Sequence, residues 1–134
     1  MKQDEEFYVV QKAFIKNGDK VLVLGDPKEG LDFPGGKIQK DETDLQKSLQ
    51  REVREETKLE IKVGIPFMAW IDIFPSHHIF AGKKAYCIAY RCDYVSGQVV
   101  LSNEHDSFSW VTKDDFKSVD DGTSYFDILA KYFE

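Results

Sequence analysis

GGKIQKDETDLQKSLQREVREETKL, residues Gly35 to Leu59, is the stretch on which the reading of this chain turns. A glycine pair follows Pro34, and a polar segment then ends in a dense run of carboxylates. On a helical wheel at about 100° per residue, Leu45, Leu49 and Val53 form one apolar stripe. Glu52 and Glu56 fall near the azimuth of Leu45, Glu55 lies on the flank, and Lys47, Gln50 and Arg54 take the opposite side. A solvated helix would place its acids opposite the stripe; here they sit on or beside it. Glu52 and Glu56 are like charges at i,i+4, and they repel unless something lies between them. A hard divalent cation converts that repulsion into binding, and Mg²⁺ joins carboxylates to phosphate oxygens. The glycine pair suits such a contact, because backbone approaches a phosphate or an ion only where side chains are absent. The stretch therefore reads as a loop–helix site for a divalent metal and a diphosphate.

The same residues resemble the Nudix box, the signature G-x5-E-x7-R-E-U-x-E-E-x-G-U with U a bulky aliphatic. Gly36, Glu42, Arg51, Glu52, Val53, Glu55, Glu56 and Leu59 carry the match over about a sixth of the chain. There are two departures. Eight residues instead of seven separate Glu42 from Arg51, which places the extra residue near Thr43–Asp44 and makes Glu42 the box position least fixed by spacing. Lys58 stands at the last glycine, without glycine's freedom at positive φ, so a strained or altered helix exit is expected.

The resemblance implies an α+β fold of the Nudix type: an α/β/α sandwich with a mixed β-sheet, as one domain over residues 1–134. It implies hydrolysis of a phosphoanhydride in a nucleoside diphosphate-linked or nucleoside triphosphate substrate, with Mg²⁺ or Mn²⁺ as cofactor. Carried residue by residue, it gives Glu52, Glu55 and Glu56 as metal ligands, with the Gly36 carbonyl completing the shell. Arg51 would orient Glu52 or Glu55, and Glu42 would support these ligands from behind. The polar run Ser102–Asn103–Glu104–His105 before Trp110 resembles an S-x-E-H loop frequent in the family, which implies that Glu104 faces the Glu52 cluster. The catalytic base is then Glu52 or Glu104, and both stay open. His105 reads as structural or substrate-orienting.

The remaining sequence bounds the alternatives. With 134 residues, 42% of them hydrophobic and ten of them Phe, the chain is long and apolar enough for a real core. Its 18 basic and 24 acidic residues give a net charge of −6 and no basic stripe, so a nucleic-acid polymer is not the expected partner. No apolar run approaches the ~18 residues that span a membrane. The acidic start MKQDEEF lacks a signal-peptide core, and a cytoplasmic protein with reduced Cys87 and Cys92 on opposite faces of one strand is expected.

Phe7–Ile15 and Val21–Leu24 read as an antiparallel pair joined at Asn17–Gly18, the second strand buried on both faces. Gly25–Asp32 reads as a loop. The polar helix starts near Thr43, which with Gln46 fits a capping box, and ends near Lys58. Leu59–Val63 and Phe67–Phe74 read as strands broken by Gly64–Pro66, Lys84–Tyr94 as a long strand, and Gln98–Leu101 as another. Lys113–Val119, opened by Thr112 or Asp114, and Ser124–Phe133 read as helices, the latter packing Phe126, Leu129, Ala130 and Phe133 inward. The adjacent His77–His78 pair reads as loop residues rather than metal ligands.

The substrate stays open between ADP-ribose, for which Pro75 at sixteen residues past Leu59 is a faint sign, and an oxidised nucleotide. Phe7, Tyr8, Trp70 and Phe74 could stack a base or belong to the core. The alternative class is a non-catalytic, nucleotide-sensing Nudix-like module, against which the intact Arg51 and helix carboxylates argue. A related isomerase of isoprenoid diphosphates fits poorly, since Cys87 and Cys92 lie far from the glycines in sequence. The oligomeric state is open, a homodimer included.

Overall fold

The computed structural model describes residues 1–134. The elements in chain order are β1 (Tyr8–Asn17), β2 (Lys20–Asp26), β3 (Gly30–Asp32), β4 (Gly35–Lys37), α1 (Leu45–Thr57), β5 (Glu60–Ile73), β6 (Lys84–Ser96), β7 (Ser107–Val111), a 3₁₀ turn (Phe116–Val119) and α2 (Ser124–Tyr132). The strands form one mixed sheet in the order β3-β2-β1-β6-β5, with β4 also on β1 and β7 also on β2. β1 and β6 run parallel from Tyr8↔Ala85 to Lys16↔Asp93, and the other pairings are antiparallel.

Alternation along the central strands feeds two cores. On β2, Leu22 and Leu24 join a cluster with Leu49 and Val53 of α1, while Val21 and Val23 join Phe14, Phe33 and Leu129 on the α2 side. The sheet thus lies between α1 and α2, the expected α+β sandwich. Cys87 belongs to the α2 face and Cys92 to the α1 face, both buried and unbonded to each other. Phe126, Ala130 and Phe133 pack partly buried against the α2-side core.

Several local expectations are corrected. Gly25 and Asp26 continue β2, and Gly30–Asp32 returns as β3, because Asp26 Oδ1 accepts the Lys28 and Glu29 N–H groups and builds a turn. Gly35 and Gly36 are not in a loop: they pair with Lys12 and Gln11 as β4. Glu60 to Ile73 is one strand, not two. Its register shifts at Pro66 absorb the proline, which an edge strand tolerates. Gln98–Leu101 is no strand; the chain there runs past the end of α1, where Val100 N–H and Ser102 N–H donate to the Thr57 and Glu56 carbonyls. The C-terminal turn covers only Phe116–Val119, and Asp115 rather than Thr112 or Asp114 precedes it. Thr112 Oγ1 instead accepts the Asp114 and Asp115 N–H groups. Leu45, expected in the apolar stripe, is 46% exposed because it opens the helix ahead of the core.

Both departures from the box are resolved at the ends of α1. The N-cap is Asp44, not Thr43: its carboxylate accepts the Lys47 N–H at 3.0 Å. The extra residue is taken up in the segment Glu42–Asp44 ahead of the helix. Lys58 adopts the left-handed conformation (φ 65°) in glycine's place, and its N–H donates to the Arg54 carbonyl. The exit keeps the glycine geometry and carries the strain of a side chain there, roughly 1 kcal/mol. The Lys58 side chain is exposed and makes no hydrogen bond. Lys58→Gly is therefore expected to raise the melting temperature by about 2 °C, the strain relief exceeding the added unfolded-state entropy. An unchanged or lower midpoint in a calorimetric scan would contradict this.

Candidate active site

The site lies where α1, β4 and the loop before β7 converge. Gly35 and Gly36 are glycine for steric reasons. Gly35 has φ 143°, and a Cβ there would strike the Gln11 carbonyl. A Cβ on Gly36 would sit 2.7 Å from Glu52 Oε2. Close approach of β4 and α1 is what these residues permit.

Arg51 organises the carboxylates. Its Nε and Nη2 donate to the two oxygens of Glu42 at 3.0 and 2.9 Å. Nη2 also donates to Glu52 Oε1 at 3.0 Å, and Nη1 to both oxygens of Glu55 at 3.1 Å. Arg51, expected to orient Glu52 or Glu55, centres its fork on Glu42 and reaches both. Glu42 also accepts from Gln39 N–H and Ser48 Oγ. The Arg51 guanidinium holds its carboxyl down at about 2. The box residue least fixed by spacing is thus firmly placed, because Asp41 takes a left-handed turn (φ 70°) just before it.

Glu56 faces the other way. It is 6% exposed, and burial pushes its carboxyl up to about 8 against the pull of Lys12. Burial also raises Glu52. Behind Glu56 lies a buried polar chain only part of which was legible in the sequence. Lys12 Nζ donates to Asp32 Oδ1 at 3.0 Å and to the Phe33 carbonyl at 3.2 Å. Asp32 Oδ2 meets His105 Nε2 at 2.8 Å, and His105 Nδ1 stands 4.0 Å from Glu56 Oε2. Burial favours a neutral Asp32, but Lys12 and His105 overrule it and hold the carboxyl at about 2. His105 is raised, chiefly by its bond to Asp32. His105, read as structural or substrate-orienting, is buried, bonded to Asp32 and part of the cavity lining. Lys12 and Asp32 went unread. The available signal was Gln11–Lys12, a polar pair inside the apolar strand FYVVQKAFI.

Gly36, Glu52, Glu55, Glu56 and Glu104 line one polar groove with Arg51. The structure therefore brings every predicted site residue except Glu42 to the groove wall, and Glu42 stands behind it on Arg51. Glu104 is exposed and free of hydrogen bonds, and its carboxylate lies within 4.8 Å of ligand atoms of Glu56 and His105. A divalent cation fits this donor set. The oxygens are hard, like-charged and crowded, and Glu56 Oε2 is buried with no hydrogen-bond partner. The groove opens onto a cavity of about 300 Å³ that Gly36, Glu56 and Glu104 share with Lys12, Phe74 and Tyr125. His77 instead pairs with Glu29 at 2.6 Å, and the His78 ring stacks on Phe74, so neither reaches the groove.

A mixed sheet holding a glycine-led carboxylate helix at the mouth of a cavity is the architecture of a Nudix hydrolase. The NUDIX domain model matches residues 7–132, and the chain belongs to that family. It is similar to the crystal structure of the MutT protein from Methanosarcina mazei Go1, at 27% identity and TM-score 0.78 over 98% of this chain and 96% of that one. The E. coli ORF135 protein shares the fold at 22% identity and TM-score 0.76, over 96% and 89%. So does an ADP-ribose pyrophosphatase from Streptococcus suis 89-1591, at 18% and 0.65, over 94% and 89%. No curated protein matches the chain. No helix is long and apolar enough to cross a membrane.

Removing Lys12 would leave Asp32 and Glu56 buried without their cation. Lys12→Met is expected to destabilise the fold by about 3 kcal/mol, read as a lower urea midpoint at unchanged slope.

Proposed function

We propose that this protein hydrolyses the phosphoanhydride of a nucleotide with Mg²⁺ or Mn²⁺ bound at Glu52, Glu55, Glu56 and the Gly36 carbonyl. The observation that carries the reading is the buried, partnerless Glu56 Oε2 beside Glu52 and Glu104, at the junction of the groove and the cavity. A cation held there neutralises non-bridging phosphate oxygens and acidifies water. The rest of the mechanism belongs to the side chains. Gly36 lets the diphosphate approach the backbone. Arg51, braced by Glu42, fixes Glu52 Oε1 and leaves Glu52 Oε2 directed at Gly36. Glu52 is accordingly the better-placed of the two candidate bases to take the proton from the attacking water. Glu104, exposed and unpaired, closes the cation cluster at the cavity mouth. Lys12, Asp32 and His105 hold the Glu56 end rigid from behind.

The substrate is a nucleoside triphosphate or a nucleoside diphosphate joined to another group, with ADP-ribose and oxidised nucleotides as the classes to compare. The similar structures include a MutT protein and an ADP-ribose pyrophosphatase. The protein works as a small-molecule enzyme in the cytoplasm.

The test is phosphate and product release from a panel of nucleotides with and without Mg²⁺. Turnover is expected only with the metal. Glu52→Gln should lower kcat about 10²- to 10⁴-fold, Glu56→Gln should lower it comparably, and both should melt close to wild type. Full turnover in EDTA, or in both variants, would refute the mechanism. A larger loss in Glu104→Gln than in Glu52→Gln would move the base to Glu104.

A further inference from the structure

The cavity continues well beyond the carboxylates. Its floor can be traced by register: Lys37 of β4 pairs with Val10 of β1, Val10 with Cys87 of β6, and Cys87 with Trp70 of β5. The next row runs Tyr8, Ala85, Asp72. From β4 to β5 is three strand spacings, roughly 14 Å. A diphosphate at Gly36 therefore leaves room for a nucleoside lying across the sheet toward β5, and the cavity volume of about 300 Å³ suits one.

The far end carries one carboxylate. Asp72 lines the cavity on the same strand face as Trp70 and Phe74. Its Oδ2 accepts the Trp70 Nε1–H at 3.0 Å and lies 3.8 Å from the buried Cys87 Sγ. Its Oδ1 has no protein partner. Beside it, burial keeps the Cys87 thiol up at about 12 and raises the Tyr125 hydroxyl as well, and the Lys37 ammonium lies over the Phe74 ring, 5.6 Å from its centroid. Val10, Ala85 and Phe74 supply apolar walls. Apolar walls beside a carboxylate whose orientation is fixed and whose second oxygen is free suit the reading of a base edge.

Resting on the nucleotide reading above, we propose that this end of the cavity is a nucleobase subsite in which Asp72 selects bases presenting adjacent N–H donors. An ionised carboxylate only accepts hydrogen bonds. The guanine edge offers a ring N–H beside an amino group and can satisfy both oxygens. Cytosine and adenine offer one amino group. Uracil and thymine flank their single ring N–H with two carbonyl oxygens, and these would face the carboxylate lone pairs. A site built around such an acceptor rejects a base that leaves it unpaired. Trp70 is the positioning residue: its indole N–H fixes the Asp72 rotamer without reaching the base.

The experiment is calorimetric titration with the methylene-bridged, non-hydrolysable analogues of GTP and UTP in the presence of Mg²⁺. Wild type should bind the guanine analogue ten- to a hundredfold more tightly, about what one bidentate base contact discriminates. Asp72→Asn should bring the ratio near one or invert it, because an amide can donate to a uracil carbonyl. Asp72→Ala should bring it near one, and Trp70→Phe should narrow it while the melting temperature stays close to wild type. Equal affinities in wild type, or an unchanged ratio in both Asp72 variants, would overturn the subsite and leave the hydrolase reading standing. Failure of both analogues to bind would also overturn the subsite, while absence of metal-dependent turnover across the nucleotide panel would overturn the hydrolase reading itself.

Discussion

Carboxylates repel, and Glu42, Glu52, Glu55, Glu56 and Glu104 crowd one end of this molecule. The local structure is the arrangement that makes the crowding tolerable. Arg51 spreads one guanidinium over Glu42, Glu52 and Glu55, a fork that a lysine could not reproduce. On the other side, Lys12 is carried into the core and bonds Asp32, with Glu56 near enough to feel its charge. What these two cations leave unsatisfied is concentrated at Glu56 Oε2 and the groove in front of it. The same electrostatic frustration that would weaken a bare helix leaves a donor set that fits a further cation.

The frame that carries this charge is apolar on both sides. Leu49 and Val53 lock α1 onto one face of the sheet, one turn from the acids they position. Phe14, Phe33 and Leu129 close the opposite face beneath α2. Between them β1 holds three tasks in consecutive residues: Gln11 donates to the Leu45 carbonyl at the start of α1, Lys12 reaches Asp32, and Ala13 packs inward. A site on strand and helix residues is more rigid than one on loops. Glu42, ahead of α1, and Glu104 and His105, ahead of β7, are its members outside helix and strand.

The box departures illustrate how such a site tolerates sequence change. The added residue lies before the helix N-cap, so the α1 register, and with it the spacing of Arg51, Glu52, Glu55 and Glu56, is untouched. Lys58 takes the left-handed backbone itself, and Gly97 packs against it, where a Cβ would meet the Lys58 carbonyl at 2.9 Å. Both changes sit outside the helical turns that aim side chains at the groove.

Much of the site was legible in residues 35–59 because helical periodicity is local. Spacing along α1 suffices to put Leu49 and Val53 on one face and to bring Glu52, Glu55 and Glu56 together. The alternating strands, the β1–β2 hairpin (whose turn falls at Gly18–Asp19, one residue beyond the expected Asn17–Gly18) and the placement of Cys87 and Cys92 on opposite faces follow equally from short-range pattern. What spacing could not supply was any contact across the sheet. The Arg51–Glu42 clasp depends on how the segment before α1 folds back. Lys12, Asp32 and His105 meet from three separate elements. Asp72 reaches the cavity only because β5 continues through Gly64–Pro66 as an edge strand instead of breaking there. Sequence determined the helix that holds the carboxylates. Only the tertiary structure decided which charges face them and what cavity they open onto, because strand order and register bring together residues that no local period relates.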